Sequence, residues 1–460
     1  MNRPLTLIFG TALWLHPLLA CQPPARETVD TNPLPLLRVS ADGRYLTNAA
    51  GKPVFLFGDT AWGLATRLTN EEVIQYLEDR RKKGINALGV QLTTGWVDKD
   101  LPSAGRNLAG QRPFLDNDPT RFNEAYFAHL DWCLTEATKR GFFILLKTGE
   151  PIKRRRVSEK ITERKTAYAF GWHVGHRLGK FNDRMVWMVG FDEFPHAADV
   201  PLYDAFAEGL ADGVTGENAH DGRAAHDRLL MTFHPPAGQS SSPTFHDRPW
   251  LDFNSVQTYR HTDSTCTLLR RDYAKNPVKP TLMVEPSYEN ARHNDNGAAV
   301  WVRRQACWSV LAGSCGFVYG NDPMWSFGYQ SGGDGGTDWK RWLDAPGLVQ
   351  TLRIQEKILG KAWWTFRPAD EALTEGTGSG DTRRVAARSA DGRTLRVYFP
   401  NPGQAAIDLK RLTGNAAVAT WHRTTDASTR PAGTFPTGKP ARFALPEGWE
   451  DGLLEITPAD

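Results

Sequence analysis

Short apolar runs alternate with helically spaced apolar stripes through most of this chain. The run at residues 54–57 leads into Gly58-Asp59-Thr60-Ala61-Trp62, where polarity returns. Thr69-Asn70-Glu71-Glu72 has the form of a capping box and predicts a helix with Val73, Ile74 and Leu77 on one face. Residues 85–92 and 142–146 predict the second and third strands. Between them Phe122, Tyr126, Leu130, Cys133, Leu134 and Ala137 share a helical stripe. Further strands are predicted at 185–190, 229–233, 251–259, 281–284 and 316–319, and helices at 167–178, 202–210, 299–311 and 348–359. Residues 235–249 read mostly as loop. Continuous apolar runs mark strands buried on both faces of a parallel sheet. Eight strand-then-helix units over roughly 300 residues predict an α/β fold, the (β/α)8 barrel.

The pattern changes at both ends. Residues 37–54 predict a β-hairpin turning at Asp42-Gly43. After Trp364 helical periodicity vanishes. Short strands predicted at 385–389, 394–399, 407–409, 417–421, 441–445 and 453–456 then form an all-β module, a small sandwich. Residues 37–364 are thus expected to be the barrel and 365–460 the sandwich. The module is expected to fold alone without hydrolase activity, and a chain ending near Arg367 to keep activity if it stays soluble.

Residues 1–20 read as an export signal, with Arg3 ahead of an apolar stretch too short to span a bilayer. The signal ends Leu18-Leu19-Ala20-Cys21, which resembles the bacterial lipobox; that implies cleavage before Cys21 and lipidation of its thiol. Gln22 follows, so sorting to an outer membrane is expected, with residues 21–36 as a tether. Cys133, Cys266, Cys307 and Cys315 show no metal-ligand spacing and read as isolated buried thiols, although export permits one bridge. A net charge of +3 on 460 residues implies no nucleic-acid surface. The basic run Lys153-Arg154-Arg155-Arg156 reads as a solvated loop. No protein partner is implied.

A barrel gathers its chemistry where the carboxyl ends of the strands line one mouth. The polar residues expected there are Asp59, Gln91, Glu150, Asp192, Glu193, His234, Gln257, Glu285 and Asn321. Asp192 and Glu285 close the fourth and seventh strands, far apart around the ring. They can face each other across a bound sugar, as glycoside hydrolysis requires of its acid and its opposing carboxylate. Glu193 is the reserve acid. Asp59 can bind a sugar hydroxyl or tie the mouth together. His234, His246 and His261 have no ligand spacing, so sugar contacts are expected in place of a metal. The reading calls for no metal and no cofactor. Trp62, Trp96 and Trp325 stand where a sugar face can stack, and the glycine-rich stretch 328–339 can form a lid.

Gly58-Asp59-Thr60-Ala61-Trp62, Gly190-Phe191-Asp192-Glu193, Thr232-Phe233-His234, Gln257 with His261, Glu285-Pro286-Ser287-Tyr288-Glu289 and Tyr319-Gly320-Asn321 together resemble glycoside hydrolase family 140, the apiosidase-like group. The trailing module resembles a β-domain often carried by such proteins under a collagen-binding name. The resemblance implies an enzyme acting on apiose-bearing pectin side chains, with Asp192 as acid/base and Glu285 as nucleophile. Trp62, Gln91, Tyr288, Glu289, Tyr319 and Asn321 are then expected among the substrate contacts. Phe191 and Val284 stand where the family usually has glycine. A carbohydrate-binding lipoprotein without catalysis, or a barrel glycosidase of arabinofuranoside or galactan linkages, are the alternative readings.

Overall fold

The computed structural model of the chain describes Met1 and residues 32–93, 105–148, 161–192, 195–217, 219–224, 226–291, 297–328, 338–360 and 362–459. Eight parallel strands build the centre: β1 (Leu56–Thr60), β2 (Ala87–Gln91), β3 (Phe143–Lys147), β4 (Met185–Val189), β5 (Met231–Phe233), β6 (Asn254–Gln257), β7 (Thr281–Glu285) and β8 (Gly316–Tyr319). The helices that follow them are α1 (Asn70–Lys82), α2 (Glu124–Lys139), α3 (Arg164–Leu178), α4 (Val200–Thr215), α5 (Ser242–Phe245), α6 (Thr265–Tyr273), α7 (Ala299–Leu311) and α8 (Pro346–Leu359). The expected capping box opens α1, with Thr69 and Glu72 each accepting from the other's backbone N–H. Among the described residues no helix is long and apolar enough to cross a membrane.

Backbone pairing runs from β5 through β4, β3, β2, β1, β8 and β7 to β6, so the ladder is open only between β5 and β6. Side chains stitch that seam. The Asp252 carboxylate accepts from the Met231 N–H at 2.6 Å, Thr232 donates to the Phe253 carbonyl at 2.7 Å, and Ser255 donates to the Phe233 carbonyl. The short strand Gln239–Ser240 pairs antiparallel with β6 and covers its free edge. This is the weak sector of the sequence pattern, and α5 there has only four residues.

Leu56, Leu145, Val186, Met188, Leu230, Phe253, Leu282, Val284 and Val318 fill the lumen. Leu37 and Leu46, from the predicted amino-terminal hairpin, pack onto that same cluster. The alternate residues, among them Phe57, Leu88, Ile144, Trp187, Phe233, Val256, Met283 and Phe317, pack outward against the helices. All four cysteines in the described residues are buried and unpaired, and burial pushes the Cys266 and Cys315 thiols up to about 12.

Helices α3 and α4 approach backbone to backbone. A Cβ on Gly171 would stand 2.3 Å from the Phe206 carbonyl oxygen, on Gly175 2.2 Å from that of Leu210, on Gly209 2.0 Å from that of Tyr168, and on Gly213 2.2 Å from that of Trp172. Each helix thus presents a pair of glycines four positions apart to its neighbour, a spacing that permits close crossing. Gly209→Ala tests this. Helix propensity alone favours alanine by up to about 1 kcal/mol. Here the methyl group must push two backbones apart, so a net loss of about 1–3 kcal/mol is expected. Thermal unfolding that showed a gain would mean the helices separate freely.

The carboxyl-terminal module is a sandwich of a six-stranded and a three-stranded antiparallel sheet. Leu395, Val397, Phe399, Trp421, Leu454, Ile456, Ile407 and Phe443 fill the space between the sheets. The strand Thr429–Pro436 goes beyond those the pattern predicts, because an exposed edge carrying Pro431, Gly433 and Pro436 shows no apolar run. The large sheet's other face, with Val385, Ala387, Tyr398 and Leu453, packs on Cys266, Cys307, Trp308, Leu311, Ile354 and Ile358 of the barrel helices. Arg303 of α7 is buried at this junction, its guanidinium 2.8 Å from Asp451 and 2.7 Å from Glu450. The module is therefore a docked part of one body.

Candidate active site

Side chains alternate along a strand, so the lumen positions predict which strand-end residues face the mouth. Counting on from Leu145, Leu230 and Phe253 brings Lys147, His234 and Gln257 inward, and Gln91 shares the parity of Ala87. The same count sends Asp59 and Tyr319 outward. Asp59 is fully buried, accepting from the Tyr76 hydroxyl at 2.8 Å and pairing with the Arg80 guanidinium on α1. Of its two expected roles it takes the second, tying strand to helix.

Glu285 breaks the count. After the inward Val284 it should point outward, but the pairing with β6 slips there: Val256 faces Met283 and Gln257 faces Glu285. The extra residue in β7 is a bulge, and it turns Glu285 to the lumen side. Asp192 reaches the mouth by another device. Gly190 adopts φ +84° beneath the Phe233 ring, and Asp192 itself holds φ +39°, a left-handed conformation that Asp tolerates better than most residues.

These turns bring four charged or titratable groups together. Lys147 Nζ lies 3.8 Å from Asp192 Oδ2 and 3.8 Å from Glu285 Oε2. His234 Nε2 is 3.0 Å from Glu285 Oε2, and its Nδ1 is 3.7 Å from Asp192 Oδ1. Asp192, His234 and Glu285 each offer one oxygen or nitrogen within 4.8 Å of the others. Such a set could hold a cation, and a cation of the chain's own, the Lys147 ammonium, already faces both carboxylates.

Trp62 lies across this floor. Its indole N–H donates to the Tyr288 hydroxyl at 2.7 Å, and its ring meets His234 edge-on at 5.6 Å. Two glycines make room: a Cβ on Gly89 would stand 2.7 Å from the Trp62 ring, and one on Gly320 2.2 Å from the Tyr288 ring. Burial, with the nearby Glu285 charge, pushes the Tyr288 phenol well above its ordinary value, so it serves only as a neutral hydroxyl. Above the floor opens a cavity of about 490 Å³ lined by Trp62, Gln91, Lys147, Asp192, Gln257, Glu285 and Tyr288 with Pro236, Ala237, Tyr259, Arg260, Asp322 and Trp325. The amide Nε2 of Gln91 and Oε1 of Gln257 are buried there without a protein partner.

Several expected contacts sit elsewhere. Glu289 is buried behind the mouth, accepting from the Tyr319 hydroxyl at 2.6 Å and from the Gly347 and Leu348 N–H groups at 2.7 and 3.3 Å. It satisfies the amino terminus of α8, and burial raises its pKa against the pull of those bonds. Asn321 donates to the Tyr319 hydroxyl at 3.0 Å. Glu289, Tyr319 and Asn321 thus form a buried brace outside the cavity lining, as strand parity requires of Tyr319. His261 is exposed, its ring against Gly238, and does not line the cavity. His246 is buried between Asn254 and the Pro277 carbonyl. Cys21, Trp96, Glu150, the basic run 153–156, Glu193 and most of the glycine-rich stretch lie outside the described residues.

Lys147, Tyr259, Arg260 and Asp322 go beyond the residues expected from the sequence. Lys147 had a signal, since it follows the third apolar run on the inward parity. Tyr259 and Arg260 sit in a turn, where Tyr259 holds φ +44°, and Asp322 opens a four-residue helix after β8.

A parallel eight-stranded barrel that carries carboxylates just beyond its fourth strand and at the end of its seventh is glycoside hydrolase-like in fold. The chain belongs to the apiosidase-like catalytic-domain family, whose sequence profile matches residues 40–365. Among solved structures it is similar to a glycoside hydrolase at 25% identity, with a TM-score of 0.77 over 92% of this chain and 97% of that one. It is also similar to a glycoside hydrolase family 5 protein from Bacteroides vulgatus at 26% identity, with a TM-score of 0.76 over 92% and 93% of the two chains. No curated protein matches the sequence significantly.

Proposed function

We propose that this chain is a retaining glycosidase of the family 140 type, acting on apiose-bearing pectic glycans of plant cell walls. One observation supports the mechanism: one oxygen of Asp192 and one of Glu285 lie within 4.8 Å of each other at the floor of an open cavity, which favours the shorter of the two glycosidase spacings. A separation of roughly 5–5.5 Å suits a covalent intermediate, whereas about 6.5–9.5 Å leaves room for the water of inversion. Glu285 attacks the anomeric carbon as the bond to the leaving oxygen breaks, and Asp192 gives that oxygen its proton. Asp192, now ionised, takes a proton from water as the water's oxygen attacks the same carbon and frees Glu285. Trp62 and Trp325 supply apolar faces for the sugar, and the buried amides of Gln91 and Gln257 supply hydroxyl partners.

Family membership supports apiose, and proton NMR of the first-formed sugar tests both parts. Pectic oligosaccharides with terminal apiose are expected to release it with the anomeric configuration of the substrate. An inverted first product would overturn the retaining reading. Release from arabinofuranoside or galactan oligomers but not from apiosides would overturn the choice of sugar.

The proposal also places the chain at an outer membrane as a lipoprotein anchored through Cys21, with an oligosaccharide or polysaccharide as its partner. Cys21→Ala should release the protein from the membrane fraction or stall its processing. An intact mass showing unmodified Cys21 would sink the anchor.

A further inference from the structure

Lys147 is the cavity group whose chemistry the acid pair alone does not explain. It starts on β3 and reaches across the lumen to face the carboxylates of both β4 and β7. Its side chain is buried, with only 1% of its surface exposed. The ammonium is held from four sides, 3.8 Å from each carboxylate and 4.0 Å from the ring centroids of Trp62 and Phe191. The aromatic faces add cation–π attraction and fix it at equal distance from the two acids.

We infer that Lys147 is a positioning residue whose fixed positive charge keeps Glu285 ionised beside a protonated Asp192 at their short separation. The inference rests on the assignment of those two carboxylates as the working pair. The pair works with one proton, on Asp192; in a buried floor without a counter-charge the carboxylate beside it is costly, so both acids hold their protons to higher pH. A nucleophile that stays protonated cannot attack. Among the described residues, the groups that face the pair include Lys147 from β3, His234 from β5, and the neutral amides and phenols of Gln91, Gln257, Tyr288 and Tyr259. Arg260 and Asp322 line the same cavity with opposite charges. Among these, Lys147 is the cation that contacts both acids. A packing role alone would be met as well by methionine, and that gives the test its contrast.

The test is a carbon-13 NMR titration of the Asp192 and Glu285 carboxyl groups in substrate-free protein, comparing the parent with Lys147→Met and Lys147→Arg. Loss of the charge should raise the pair's apparent pKa values by at least about one unit, while the charge-conserving variant should stay within about half a unit. In parallel, the acidic limb of kcat/KM should move to higher pH in Lys147→Met and stay in place in Lys147→Arg. If Lys147→Met does not fold, Lys147→Gln is judged by the same criterion. Unmoved carboxyl titrations in the uncharged variant would overturn the inference, as would an equal shift in Lys147→Arg. Because the NMR readout needs no turnover, it separates failure of this inference from failure of the glycosidase reading: an inactive parent whose carboxyls still shift in Lys147→Met would leave the counter-charge standing.

Discussion

Glu285→Gln should lower kcat on every substrate by about four orders of magnitude or more, since the amide cannot form the glycosyl ester. The substitution is nearly isosteric, and the bulge that aims residue 285 is set by backbone pairing with Gln257, so the fold should be unchanged. Thermal unfolding of the two proteins should agree within a few degrees. Asp192→Ala should behave differently. Substrates with good leaving groups need little protonation, so their first step should survive while breakdown of the intermediate slows. External azide should restore that second step in Asp192→Ala and do nothing for Glu285→Gln. If neither variant gives this pattern, the covalent route fails. Glu193→Gln giving it in place of Asp192→Ala would make the neighbour the acid.

Much of this site was legible because a barrel turns strand parity into direction. The runs at β4 and β7 announce two carboxylates at opposite walls, and the parity of β2, β5 and β6 brings Gln91, His234 and Gln257 to the floor. Parity also argues against Asp59 and Tyr319 as sugar contacts, and both point into the helix layer. Counting fails at Glu285, whose bulge no alternation shows. It fails again at Glu289, whose partners at residues 347 and 348 lie far along the chain. The seam between β5 and β6 was hard to read for a related reason: beside one backbone bond, from the Asp252 N–H to the Met231 carbonyl at 3.0 Å, its bonds come from Asp252, Thr232 and Ser255 side chains, which leave no periodic trace. The glycines of α3 and α4 stand four apart in the sequence, a spacing whose purpose shows only in their close approach.

Removing the carboxyl-terminal module should cost the barrel its stability before its chemistry. No residue of the module lines the cavity, so a folded barrel ending near Arg367 keeps Asp192, Glu285 and Lys147 in place. Truncation nevertheless uncovers Trp308, Leu311, Ile354 and Ile358 together, a contiguous apolar face of the kind that drives aggregation. It also strips Arg303 of Asp451 and Glu450 while α7 holds the guanidinium against that face. That uncovered face carries the loss, since truncation opens the Arg303 guanidinium to water, and it is set against the roughly 5–15 kcal/mol that holds a domain folded. The truncated chain is therefore expected in the insoluble fraction, or with a sharply lowered unfolding midpoint. Asp451→Ala in the full chain should be destabilising by itself, because there Arg303 stays buried with only Glu450 and Gln350 while Tyr398 and Thr424 lose their acceptor, and breaking a buried pair from one side costs about 3–5 kcal/mol. The module touches the site at one remove: Asp381 accepts from the Thr262 hydroxyl at 2.8 Å, just beyond Tyr259 and Arg260 in the cavity wall. Asp381→Ala should accordingly raise KM a few-fold, with kcat held. Equal loss of kcat would mean the module reaches the reacting groups themselves, and a truncated barrel as stable as the full chain would mean the docked face is self-sufficient.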